Sequence, residues 1–399
     1  MIDSKIKYRI FRNISDVDIS EQDIYDYDPE ILDELLIDHT MSAEVRKETN
    51  DSSKVVNIFW ATNDYDGKVK DEYGNIIHTG YRYDDEIMPK NITGQFRRIV
   101  MPRVLKDKEL QIARSKDKAE VFTPSWVCNA QNNLIDEAWF GRKDVFNYVD
   151  DSSGSNHSWA ETNDKIQFPK NDKKKSWKKY VVDNRMEITC GEAPYLVTRY
   201  DTTTGEYIPI RKRIGILDRK LRVICENATT TGEWLDMTRK AYQHTYGYEW
   251  QGDNLLLARE ALLYTFIEYY IEQFNKKDEN GNIILENVPD RKSILCIARI
   301  ISWNIWQMDG IKMVVPNSCD KVYDYDLFGE PRKRECLACT NGDIVGHIGV
   351  KCLIRDWNIK RPKDYQLKPG EDPKFNPWQK ITFASLFCKG GKSEIDDEY

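Results

Sequence analysis

No apolar stretch of this 399-residue chain approaches the roughly 20 residues needed to cross a bilayer. The nearest, Leu255–Ile271, is broken by Arg259, Glu260 and Glu268, so no membrane span is expected. Met1 to Arg12 interleave Lys5, Lys7 and Arg9 with single apolar residues and lack the continuous apolar segment of a secretory signal; a cytoplasmic location is the expectation. Positive charge is not in excess either. The formal net charge is −7, which excludes a global basic field and leaves only a local basic patch for any contact with nucleic acid. No internal repeat is visible, and no arrangement of paired carboxylates with a lysine suggests a nuclease.

What is present suits a globular chain of two or three domains: 40% of residues are hydrophobic, enough for a substantial core. Nine cysteines is an odd number, and several sit in apolar settings such as Val127-Cys128 and Leu295-Cys296-Ile297, as reduced core thiols do. Cys319, Cys336, Cys339 and Cys352 differ, lying in polar, turn-rich sequence. Cys336-Leu337-Ala338-Cys339 is followed by Gly342, Gly346, His347, Gly349 and Cys352. Two thiolates from one tight turn, with an imidazole and a third thiolate on the return, can complete a tetrahedral structural zinc site. Cys336, Cys339, His347 and Cys352 are the expected ligands, with Cys319 as substitute; reduced surface thiols or a redox pair are the competing readings. Lys333, Arg334, Lys351 and Arg355 nearby could contact phosphate or leave the unit a simple brace.

The first 50 residues are acidic and read as a loosely packed leader with a short helical pattern through Ile31, Leu32, Leu35 and Leu36. Strands are expected at Val55–Ala61 and Ile76–Tyr83, giving a β-rich N-terminal module over 1–110. A core over 111–315 and a C-terminal extension over 316–399 complete the organisation. A helix should open at Thr123-Pro124, where proline suits a first turn, and run toward Trp139. The Lys-rich, Ser-rich stretch from Asp150 to Lys179 reads as a solvated surface excursion, with a phosphate-contacting loop as the competing reading. Beyond it, strands at Arg185–Thr189 and Thr245–Glu249 alternate with helical patterns, and an apolar segment runs from Ile294 to Ile305. Alternation of this kind implies an α/β fold with a mostly parallel, doubly covered sheet.

Three segments carry possible ligand chemistry. Met186-Glu187-Ile188-Thr189-Cys190-Gly191-Glu192-Ala193 is a short strand ending in a turn, where a glycine lets backbone approach a ligand. Tyr246-Gly247-Tyr248-Glu249 ends a strand on a carboxylate able to accept both hydroxyls of a ribose, and a helical run opens at Gly252. Ser302 to Gly310 carries Trp303, Trp306, Met308 and Asp309, apolar walls beside an acid. Upstream stands Phe122-Thr123-Pro124, with Arg114 and Lys118 as a basic approach.

In this order the segments resemble the motifs of S-adenosylmethionine-dependent N6-adenine DNA methyltransferases, and in particular the modification subunits of bacterial restriction-modification systems. The resemblance covers roughly Arg114 to Gly310 and implies a Rossmann-like methyltransferase fold. It implies that Phe122, Thr123 and Pro124 close over the methionine end of S-adenosylmethionine, that Glu187, Cys190 and Gly191 form the glycine-rich turn, that Glu249 holds the ribose and that Asp309 reads the adenine. DNA would be the partner, with a restriction or specificity subunit as a second one. Two departures stand out: Ala193 where a second glycine is common, and a long Val197–Thr245 interval, expected to be an insertion that loops out. The acceptor loop of amino-group methyltransferases (Asn or Asp, two prolines, an aromatic) is not found; Asn376-Pro377-Trp378 and Asp28-Pro29-Glu30 are partial spellings. No catalytic residue is assigned. A non-catalytic subunit that binds DNA or a partner through the same fold is the alternative.

Overall fold

The computed structural model describes residues 8–12, 17–70, 74–118, 120, 123–150, 158–170, 172, 174–362, 365 and 376–387. Phe122 lies outside them. At its centre is a three-stranded parallel sheet of β1 (Arg185–Glu187), β2 (Thr245–Glu249) and β3 (Ile305–Gln307), in the order β1-β2-β3. The register pairs Glu187 with Gly247 and Glu249 with Gln307, so the carboxyl ends of all three strands lie at one edge. Six helices of note are α1 (Pro29–Leu36), α2 (Ser125–Phe140), α3 (Ile216–Asn227), α4 (Thr231–Gln243), α5 (Gly252–Phe274) and α6 (Arg291–Asn304). The β1-to-β2 crossover carries α3 and α4, and the β2-to-β3 crossover carries α5 and α6. The remaining sheets among the described residues are two-stranded antiparallel pairs. The fold is thus mixed α/β, with a parallel sheet smaller than the alternation of elements suggests. After Gln307 the chain turns at Asp309 and continues in short antiparallel pairs.

Helix α5 organises the molecule. Its residues Gly252 to Tyr269 are all buried, so it has no solvent face, and its charged side chains need partners inside the protein. Arg259 donates to the carbonyls of Leu35 (2.6 Å), Ile37 (3.0 Å), Ser302 (3.2 Å) and Ile305 (2.8 Å). Glu268 accepts from Arg199 at 2.8 Å and Arg213 at 2.5 Å. Glu260 faces Glu21 and has no hydrogen-bond partner among the described residues.

Three expectations are corrected here. The described part of the acidic first 50 residues is not a loose leader: Ile24, Ile31, Leu32, Leu35 and Leu36 are fully buried in the same core as α5 and α6. Their acidic neighbours are neutralised by a distant helix, Arg291 pairing with Asp28 and Glu30, and Arg299 with Glu30 and Glu34. Nor is the N-terminal region β-rich. The one hairpin among its described residues, Asp66–Lys70 with Ile76–Gly80, stands beside three helices over Glu21–Thr49, and Val55–Ala61 is extended chain with isolated bridges. The Val197–Thr245 interval is not looped out either. Leu217, Leu221, Val223 and Ile224 of α3 are core, and Arg213 is spent on Glu268. Helix α2 does open just after Pro124, its first amide satisfied by Asp201 (2.8 Å). No helix among the described residues is long and apolar enough to cross a membrane.

Candidate functional site

A cleft of about 1110 Å³ opens at the carboxyl edge of the sheet. Its floor is the turn after β1. Cys190 N continues the sheet pairing by donating to Tyr248 O (2.8 Å), and the chain then bends so tightly that Thr189 (φ 47°), Gly191 (φ 53°) and Ala193 (φ 62°) are all left-handed. Glycine takes that conformation freely, whereas Thr189 and Ala193 are strained in it. Glu187 braces the turn from below: its buried carboxylate accepts from the amides of Tyr195 (3.3 Å) and Leu196 (3.2 Å). Burial pushes its carboxyl well up, with the two amides pulling the other way.

Beside this bend stands Glu249. Its Oε2 accepts from Gly191 N at 2.9 Å and its Oε1 from Gln251 N at 3.2 Å, so one carboxylate joins the turns after β1 and β2. No cation among the described residues pairs with it. Burial raises its pKa, opposed by the Gly191, Gln251 and Trp250 amides. An ionised carboxylate offers about four acceptor sites, so at least one remains for a ligand.

The far walls come from elsewhere in the chain. Ala61 (φ 51°) and Tyr83 reach in from the N-terminal region, and Trp250 donates from its indole to Tyr83 Oη (2.9 Å). Asn317 (φ 60°) reaches in from beyond β3. Left-handed non-glycine residues are uncommon in proteins, and each costs about 1–3 kcal/mol. Ala61, Thr189 and Asn317 all line this one cleft. A buried hub holds another wall: Arg114 bonds Glu120 (2.6 Å), Asp64 (2.8 Å) and Asp253 (2.9 Å), while Lys106 and Tyr65 also reach Asp253. Asn254 completes it, donating to Glu120 at 2.9 Å.

Of the expected site residues, Thr123, Glu187, Cys190, Gly191 and Glu249 line the cleft. Pro124 starts α2 beside it, without appearing in the lining. Asp309 does not line it: its carboxylate caps the turn that follows, accepting from Ile311 N (3.0 Å) and Lys312 N (3.1 Å). Trp306 and Met308 are buried in a second apolar cluster with Tyr246, Tyr248 and Phe383. Trp303 stacks on His39. Arg114 is no basic approach, being buried and fully paired. Asn376 is also remote, donating to Ile359 O at 2.8 Å. Tyr83, Trp250, Gln251, Asn254 and Asn317 were not anticipated; the strand-end position of Trp250 and Gln251, next to Glu249, was the one available signal.

A second constellation lies beyond Asn317. Cys319, Cys336, Cys339 and His347 bring their donor atoms within 4.8 Å of one another. His347 Nδ1 is 3.8, 3.5 and 3.4 Å from the three sulfurs. A tetrahedral zinc with bonds of about 2.3 Å to sulfur and about 2.05 Å to nitrogen requires S···N separations of about 3.6 Å. The donor set and spacing therefore fit a metal ion. Burial would raise the Cys336 thiol, but the Ile348 and Cys339 amides and His347 outweigh it and bring it down to about 6. Cys352, an expected ligand, is elsewhere: it is fully buried and donates to Gln307 O (3.4 Å). Cys319 takes its place.

Comparison of the chain with protein-family models, with curated proteins and with solved structures returned no match.

Proposed function

We propose that the chain is an S-adenosylmethionine-binding, DNA-adenine methyltransferase-like protein of a restriction-modification or related defence system. The observation that carries the reading is the 2.9 Å bond between Gly191 N and Glu249 Oε2, which sets the glycine bend and the strand-end carboxylate side by side at one open cleft. Ligands of α/β sheets bind at the carboxyl ends of the strands, where a terminal acid takes a ribose. Glu249 would hold the ribose hydroxyls, the Thr189–Ala193 bend the methionine portion, and Thr123 with Asn254 the side wall. The cofactor, when bound, supplies a methyl group on a sulfonium; the protein's part is to align an acceptor with it and exclude water. The volume lies just above the 300–1,000 Å³ of ordinary ligand pockets, which leaves room beside the cofactor for a planar acceptor. DNA as that acceptor rests on the resemblance of the ordered segments, since the net charge does not favour it. Calorimetry with S-adenosylmethionine and S-adenosylhomocysteine tests the pocket: no heat at millimolar ligand removes the proposal.

A second reading has its own observation. Asn376-Pro377-Trp378, the nearest spelling of an acceptor loop, is turned away from the cleft, with Trp378 edge-on to Tyr365. A subunit that binds cofactor and DNA or a partner without transferring methyl groups fits that placement. Incorporation of labelled methyl into assorted DNA separates the two. We assign the metal as zinc in a structural role, since four protein donors leave no open coordination position.

A further inference from the structure

We infer that Asn317 contacts the ligand of the cleft and is held there by the metal centre, so that metal and ligand bind cooperatively. The inference rests on the proposed cleft ligand. Asn317 lines the cleft two residues before the metal-ligating Cys319. Its backbone is left-handed, at φ 60°, and no hydrogen bond from a described residue takes up its side-chain amide. The backbone on either side is clamped. Val315 N donates to Val350 O (2.8 Å), Val350 N donates to Ser318 Oγ (3.0 Å), and Ser318 Oγ donates to Val315 O (2.7 Å). Gly349 presses so closely that a Cβ there would meet Ser318 Oγ at 2.4 Å and Cys319 N at 2.8 Å.

On the Val315 side the clamp is packed by the apolar cluster of Tyr248 and Trp306, whereas the Cys319 side has little apolar packing to hold it. The cluster of buried apolar residues around it consists of Val314, Cys319, Cys336 and Ala338, with Ile348 against them. Two of those four are thiols that also face His347. A unit with so little core depends on its metal for order. Loss of the metal frees Cys319, so the Asn317 turn is held firmly from the Val315 side alone and Asn317 relaxes out of its left-handed conformation. Helix α5 belongs to a different, much larger core and stays intact.

The experiment is a cycle with S-adenosylhomocysteine as probe, zinc-loaded or chelator-stripped protein, and Asn317→Gly. Glycine prefers the left-handed backbone, so this variant should melt no lower than the parent while binding the probe about three- to tenfold more weakly, the worth of one side-chain hydrogen bond. Asn317→Asp, which keeps the shape and the acceptor, should recover part of the loss if the amide oxygen makes the contact. Stripping the metal should weaken the parent by a similar factor and Asn317→Gly hardly further. Reciprocally, the probe should tighten zinc against a chromophoric chelator by the same factor in the parent alone. Equal probe affinity with and without zinc, or equal weakening of parent and variant on stripping, overturns the inference. Should the probe bind no form, the cleft proposal fails first, and amide exchange judges the clamp independently. Stripping should deprotect 317–321 and 336–349 while leaving 252–274 unchanged; a uniform rise in exchange rejects the clamp.

Discussion

Replacing Glu249 by glutamine tests the cleft at its centre. The parent carboxylate accepts two backbone amides, Gly191 N and Gln251 N, one on each oxygen. Glutamine keeps one acceptor and turns an NH2 toward the other amide, so one charge-assisted bond is lost, worth about 1.5–3 kcal/mol. Relief of the buried charge offsets part of this in the free protein, and the variant should stay folded with a modest drop in melting temperature. The ligand has no such offset. Losing one charged acceptor for the ribose should weaken S-adenosylhomocysteine about ten- to hundredfold in calorimetry. The pH dependence follows from the burial-raised pKa of Glu249. Ribose recognition needs the ionised form, so parent affinity should fall as pH drops from 8 toward 5, beginning above the 4.5 of an ordinary glutamate. Glu249→Gln, with nothing to titrate there, should be flat over the same range. Unchanged affinity in the variant, or a parent profile as flat as the variant's, refutes the assignment of Glu249.

Two further outcomes are expected. Metal analysis should find about one zinc per chain, lost on dialysis from Cys336→Ser and retained by Cys352→Ser; retention by both rejects the ligand set. Glu21 and Glu260 are fully buried together beside Asp18, and burial raises both carboxyls well above 4.5, with the neighbouring acids adding to it. A carboxyl raised on folding stabilises below its unfolded value and loses that stability as pH rises. Glu260→Gln should therefore gain melting temperature over the parent by a margin that widens from pH 5 to pH 8. A margin that narrows over that range would show the pair to be ionised and favourably solvated.

The parts of the site that depend on local chain logic were legible in the sequence. The sequence pattern marks strand β2 at Thr245–Glu249, where the structure has it, and Gly191 stands beside Glu249 because a strand terminus fixes where a side chain can go. The errors came from partners distant in sequence. Acidic residues around Asp28 and Glu30 looked solvated because Arg291 and Arg299, which neutralise them, lie on α6. Arg213 looked like insertion sequence because its partner Glu268 lies on α5. Cys319 and Cys352 flank the CxxC pair on opposite sides, and spacing alone does not choose between them. Asp309 was given a ligand when its carboxylate was needed by its own turn. Asn317 carried no signal, since a single asparagine after proline is ordinary turn composition.

Arg259 has one more consequence. Its guanidinium gathers carbonyls from the N-terminal helices and from the last strand of the sheet, stretches separated by most of the chain. The turn at Ser52–Val55, fully on the surface, is the natural place for a protease to cut. A chain severed there would not shed its first fifty residues as a tail: the two fragments would remain one particle, joined through a single buried cation and the helix faces around it.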